Sequence, residues 1–171
     1  MLFLVSCHEL ISPSLRSKYA KTLVLHASDL PQGRGWSPHV WAVLEGQDHI
    51  TVSLLEADDP VDTGAIWAKV GFDLEGHELF DEINSKLFDA ELSLMDMAIR
   101  DFDGVKPLPQ AGASASYYRR RVPEDSRIDI EQSLDKQFAL LRVCDPERYP
   151  AYFERDGHTY EIILRKRAPR T

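Results

Sequence analysis

Cysteine is scarce: Cys7 and Cys144 are the only two in 171 residues. They are far apart and have no His or Cys neighbour at metal-ligand spacing. That argues against a disulfide framework and a zinc site, and fits a reduced, cytoplasmic setting. Long apolar runs are also missing, and none approaches the roughly 18–20 residues that span a bilayer. The opening MLFLVSC has no basic n-region, and its apolar run is shorter than the roughly 7–15 residues of a signal core. Basic residues are in deficit, 20 Lys and Arg against 28 Asp and Glu, for a net charge of −8. This excludes a globally basic surface for nucleic acid or an anionic membrane, although not a local basic patch. No Gly-rich turn follows the first apolar run, so a dinucleotide fingerprint is absent. There is no internal repeat and no low-complexity tract.

What remains is a globular composition, 43% hydrophobic and 28% charged. A chain of this length buries enough surface to fold without a disulfide or a structural metal. Leu2–Val5 reads as a strand buried on both faces, and 22–25 as a second strand. Residues 8–20 carry only a weak helical pattern. Ser37-Pro38 predicts a helix start with Ser37 as N-cap, and Gly46 its left-handed end. Residues 50–55 and 66–72 read as strands. Leu79, Ile83, Leu87, Leu94 and Ala98 form the apolar stripe of a long helix over 75–102. Another helix is expected from Asp129, with Ile130, Leu134, Phe138 and Leu141 on its apolar face. Asp156-Gly157 between two β-prone runs predicts a hairpin.

Alternating strands and helices imply an α/β core with a largely parallel sheet. The expected organisation is a core over 1–105, a connector over 106–116 rich in Pro, Gly and Ser, and a helix-plus-hairpin subdomain over 117–171.

Two stretches concentrate polar chemistry. In 23–38, LVLHASDLPQGRGWSP, His26 directly follows a strand, at the edge where open α/β sheets place their sites. In 56–67, EADDPVDTGAIW, an acidic loop leaves another strand end. Asp62 can therefore lie within reach of His26, fixing its tautomer for acid–base work. The residue types alone favour a structural histidine and a turn aspartate over that reading. Arg119, Arg120 and Arg121 suit either a phosphate grip or a solvated basic run. Trp41 and Trp67 suit packing, whereas Trp36, in a loop after Gly35, is the most exposed candidate.

These stretches also carry a family resemblance. His26-Ala27-Ser28-Asp29-Leu30-Pro31 with Gly33-Arg34-Gly35 resembles the His-Pro-Ser-Leu-Leu-Pro…Arg-Gly motif of formyltetrahydrofolate-dependent formyltransferases. Val61-Asp62-Thr63-Gly64-Ala65-Ile66 resembles their Leu-Asp-Thr-Gly-Asp-Ile motif, and 120–125 with 140–143 resembles the C-terminal part of methionyl-tRNA and nucleotide-sugar members. The resemblance implies the C-terminal half of a Rossmann-like formyltransferase sheet with a small α+β extension. The family normally carries about two βαβ units ahead of the stretch that begins here at Leu2. The chain is accordingly expected to be a fragment, the product of an internal start, or a shortened member.

The resemblance further implies His26 and Asp62 as catalytic residues. An amine attacks the formyl carbon of 10-formyltetrahydrofolate, and the histidine, held by the aspartate, stabilises the oxyanion and assists proton movement. The loops 6–11 and 56–61 match the folate segments, which points to Cys7, His8, Leu10, Glu56, Asp58 and Val61 for the co-substrate. Ser28, Arg34, Trp36 and Arg120 are the candidates for the acceptor, and no metal is implied. One departure stands out: Val24 occupies the place of a family Asn whose amide helps hold the oxyanion, and valine cannot donate. Ser28, Ser6 or backbone N–H groups are the candidate substitutes. The expected acceptor is the amine of a nucleotide-linked amino sugar. Methionyl-tRNA and a non-catalytic, dimerising role are the alternatives. A strand edge left without its flanking units predicts a homo-oligomer.

Overall fold

The computed structural model describes residues 1–110 and 114–167. Residues 111–113 of the connector and 168–171 of the tail lie outside them. The elements, in chain order, are β1 (Leu2–Val5), α1 (Pro13–Arg16), β2 (Thr22–His26), β3 (Arg34–Gly35), α2 (Pro38–Leu44), β4 (His49–Glu56), β5 (Ile66–Asp73), α3 (Phe80–Arg100), β6 (Tyr117–Tyr118), α4 (Phe138–Val143), β7 (Ala151–Arg155) and β8 (His158–Ile162).

Four strands form the main sheet in the order β1-β2-β4-β5. β1 and β2 are parallel, while β4 runs antiparallel to both of its neighbours. Three of the four strands thus point the same way, as the expected mixed, mostly parallel sheet requires. Helix α3 covers one face. Its Leu87, Ala90, Leu94 and Ala98 pack on Leu23, Leu25, Val52 and Leu54. A second cluster joins Val40 and Val43 of α2 to Ile50, Ile83 and Val143. Thr22, Val24 and His26 alternate with Leu23 and Leu25, so they face away from α3. The candidate site is built on that opposite face.

Several local expectations are corrected. β1 is not buried on both faces: Leu2 to Leu4 are half-buried and Val5 is 38% exposed. The reason is position, since β1 pairs only with β2 and forms the edge. The weak pattern over 8–20 yields one helical turn, α1, capped by the Ser12 hydroxyl. Ser37 opens α2 through its carbonyl, which accepts from Val40 N–H, while its hydroxyl makes no cap and its φ is 46°. The long helix begins at Phe80, five residues late. The Glu78 carboxylate takes the N–H groups of Glu75 and Gly76, and Glu82 takes that of Leu79, so these backbone donors are used before the helix starts. The helix expected from Asp129 forms only from Phe138. The Asp129 carboxylate instead accepts from Glu131 N–H and the Gln132 amide, a local alternative to helix, and Ile130 and Leu134 stay exposed.

The hairpin forms as expected, with Asp156 and Gly157 both at positive φ, the geometry of a two-residue type I′ turn. It closes a small core of Ile128, Leu141, Cys144 and Ala151. The connector does more than link. Ile66 and Leu108 exchange backbone hydrogen bonds, and Tyr117–Tyr118 pairs in parallel with Arg34–Gly35. A two-residue strand is too short to show a periodicity, so this pairing left no sequence signal.

Candidate active site

His26 ends β2 and is 7% exposed. Its Nε2 lies 2.8 Å from the Gly33 carbonyl. A carbonyl only accepts, so Nε2 carries the proton. Its Nδ1 faces the Asp62 carboxylate at 3.6 Å. Asp62 is equally buried and holds φ at 62°, a left-handed conformation that Asp tolerates better than most residues. One carboxylate oxygen accepts from Gly35 N–H at 2.9 Å, leaving the other for the imidazole. The two motifs, distant in sequence, therefore meet around one buried ring.

Close backbone approach explains the glycines. A Cβ on Gly64 would stand 1.9 Å from the Glu56 carbonyl, and one on Gly35 would stand 2.3 Å from the Tyr118 carbonyl. Val24 sits on the face of His26 and offers no donor. The Ser28 hydroxyl, two residues past His26, is buried without a hydrogen-bond partner among the described residues. It borders a cavity of about 300 Å³ together with Gly33, Glu45, Ser116 and Tyr118.

The folate candidates lie on the loops 6–11 and 56–61, and Arg16 of α1, the helical turn that follows the first loop, bonds the second through the Ala57 carbonyl at 3.0 Å and the Asp59 carboxylate. Leu10 is 83% exposed and Val61 50%, leaving two unpacked apolar side chains on these loops. Cys7 is exposed, with its thiol toward the Val5 carbonyl. Glu56 is taken up by Lys21 at 2.5 Å and Trp67 Nε1 at 3.2 Å, and Asp58 accepts from Asp59 N–H. His8 stacks on Trp36, and the Arg120 guanidinium lies 4.9 Å over the same indole. Arg119 forms a two-bond pair with Asp125, and Arg121 bonds the Asp125 carbonyl and Ser126. Arg120 makes no ion pair among the described residues. Arg34 donates to the Tyr117 hydroxyl at 3.0 Å and to Gln110 Oε1 at 2.6 Å.

Two contributors had no usable sequence signal. Gln110, in the connector, donates to the carbonyls of Asp62 and Gly64 at 2.8 and 3.0 Å. His39 of α2 is pulled down to about 4 by burial, with the charge of His26 adding, so it is neutral near pH 7. Among the described residues, no group of three His, Cys, Asp or Glu is placed to hold a metal.

The family model for formyl transferase matches residues 1–99, more than half of the chain. The chain belongs to the formyl transferase family. It is 28% identical over 150 residues to the methionyl-tRNA formyltransferase of Rickettsia massiliae, covering 87% of this chain and 49% of that protein. It thus spans about half the length of the curated relatives it matches. The solved methionyl-tRNA formyltransferase from Clostridium thermocellum superposes with a TM-score of 0.76 at 26% identity, over 93% of this chain and 69% of that one. A sugar N-formyltransferase from a Shewanella species gives 0.77 at 16% identity, over 98% and 70%, and that likeness shows the fold alone.

Proposed function

We propose that the chain carries the catalytic part of an N-formyltransferase, which moves a formyl group from 10-formyltetrahydrofolate to a primary amine in the cytoplasm. The observation that carries this reading is the buried His26–Asp62 pair, with Nε2 protonated and the carboxylate held by Gly35 N–H. The folate supplies the formyl group, and this chain's residues manage charge and protons. His26 Nε2–H, held by the Gly33 carbonyl in the resting site, transfers its hydrogen bond to the developing oxyanion when substrate displaces that contact. His26 Nε2 gives its proton to the departing folate nitrogen as the old C–N bond breaks, and regains a proton from the amine nitrogen that has formed the new C–N bond. Asp62 fixes the ring throughout. Ser28, whose hydroxyl is unpartnered, serves as the donor that Val24 cannot be. In this reading Leu10 and Val61, exposed apolar side chains of the loops 6–11 and 56–61, receive the pterin, and Cys7, His8, Glu56 and Asp58 are the further folate residues of the same loops. Two free cysteines fit the cytoplasmic setting.

The acceptor we favour is a nucleotide-linked amino sugar. Arg120, which makes no ion pair among the described residues, lies over Trp36, itself 37% exposed, and the two offer a guanidinium for a phosphate beside an aromatic side chain. The net charge of −8 disfavours a tRNA surface. The second reading, methionyl-tRNA, is favoured by the names of the relatives at 26–28% identity. Incubation with 10-formyltetrahydrofolate and each acceptor, following tetrahydrofolate release, separates them. Turnover with amino-sugar nucleotides alone supports the first reading, and turnover with methionyl-tRNA replaces it with the second. No turnover and no folate binding would leave a non-catalytic relative. Among the described residues β1, Leu-Phe-Leu-Val without charge or Pro, is the edge strand of the main sheet; we further propose that a second copy pairs with it in a homo-oligomer, and a monomer by light scattering at micromolar concentration would contradict it.

A further inference from the structure

We propose that Gln110 is the positioning residue of the His26–Asp62 site: its side-chain amide locks the Asp62 turn to the Arg34–Gly35 strand and so sets where the carboxylate meets the imidazole. Its catalytic meaning rests on the formyltransferase reading above, but its geometry does not.

Asp62 holds a left-handed φ of 62°, which most non-glycine residues avoid, so its turn needs support from outside itself. Gln110 supplies that support with its whole amide. The two N–H bonds go to the carbonyls of Asp62 and Gly64, which close the turn at both ends. The Oε1 accepts from Arg34 Nη2 at 2.6 Å. The Gln amide carries two donor hydrogens and an acceptor oxygen in one rigid plane, so a single residue can hold both loops. The guanidinium draws electron density from Oε1 and sharpens the N–H groups as donors, so the three bonds reinforce one another.

The side chain is delivered from a fixed point. Two residues upstream, Leu108 exchanges two backbone hydrogen bonds with Ile66, at 2.8 and 2.9 Å. Downstream, Ser116 takes Gly33 N–H with its hydroxyl and Arg34 N–H with its carbonyl. The described residues on either side, 108–110 and 116–118, are therefore anchored to both motif loops, and Gln110 is the point at which they are joined side chain to turn. The outcome of that joining is the bond from Gly35 N–H to Asp62 Oδ2, one atom pair that reports directly on whether the two loops are in register.

The test uses the full chain with Gln110→Met, which keeps the volume and removes all three bonds, and Gln110→Glu, which keeps the acceptor for Arg34 but sets an oxygen against two carbonyls. Amide hydrogen exchange is measured by NMR. Gly35 N–H should exchange several-fold to about tenfold faster in both variants, while the amides of β2 and β4 stay as protected as in wild type. An unchanged Gly35 rate overturns the proposal, and so does a uniform acceleration across the sheet, which would mark a merely structural residue. In formyl transfer, Gln110→Met should lower kcat by on the order of 10- to 100-fold. In an Asp62→Asn background it should cost little more, because the charge it positions is already gone. Full additivity overturns the coupling to Asp62. If wild type transfers no formyl group, the functional reading fails, and Gly35 exchange still decides the positioning role.

Discussion

Charge and backbone shape make separable demands at Asp62. The left-handed φ suits Asn as well as Asp, and an amide oxygen can still accept from Gly35 N–H. Asp62→Asn should therefore keep the melting temperature within a few degrees while formyl transfer falls on the order of 10³-fold or more, as happens when an aspartate behind a catalytic histidine becomes neutral. Ser28 poses the matching question for the oxyanion. Ser28→Ala should lower the rate constant by roughly 100-fold, the cost of one lost donor. Val24→Asn, which restores an amide on the face of His26, should recover much of that loss in the same background. Single-turnover assays of the two single variants and the double variant check this. A Ser28→Ala protein as fast as wild type would remove the hydroxyl from the mechanism.

Helix α3 shows how one element can carry a conflict within its own pattern. Its stripe packs Ile83, Leu87, Leu94 and Ala98 on the sheet, yet Glu91 is 5% exposed on the same side. Among the described residues its carboxylate has no hydrogen bond, and burial pushes its pKa up to about 7. In the unfolded chain it titrates near 4.5. Between those values the folded protein binds the extra proton, so this residue makes stability fall as pH rises from about 4.5 to 7. Glu91→Gln should be more stable than wild type at pH 8 by roughly 1–3 kcal/mol, with the difference vanishing near pH 4. Chemical denaturation at the two pH values measures it.

Across the whole molecule, Glu78 ties the parts together. It is 1% exposed, bonds the two backbone N–H groups before α3, and meets Lys86 at 2.6 Å and the buried Arg142 of α4 at 3.5 Å. Its pKa is lowered to about 2 although burial opposes this, because the Lys86 hydrogen bond, the backbone N–H groups and the Lys86 charge outweigh the desolvation. The unfolded chain binds the proton first, so this stabilisation is complete above about pH 4.5 and is lost as pH falls toward 2. His39, lowered from 6.5 to about 4, has the same sign in its own window. Glu78→Gln should destabilise the protein at pH 7 by roughly 1–3 kcal/mol, since it leaves Arg142 buried without its partner. The gap should close near pH 2. A constant gap across that range would mean that the carboxylate charge is not what joins α3 to α4.

The amino-acid sequence by itself determined the elements whose signal is local. The β-branched strands β4 and β5, the apolar stripe of α3 and the Asp156-Gly157 turn each depend on neighbours within a few residues. It also marked His26 and Asp62, through the resemblance of their two motifs to the formyltransferase pair rather than through residue types alone. Tertiary structure alone decided the rest. It set the reversed direction of β4 and left β1 half-buried at an edge. It kept 129–134 out of a helix, through the side-chain bonds of Asp129. It also brought Gln110 to the turn around Asp62, a contact between residues 48 positions apart. Such contacts depend on which loops the sheet sets side by side, and no local pattern of residues encodes that proximity.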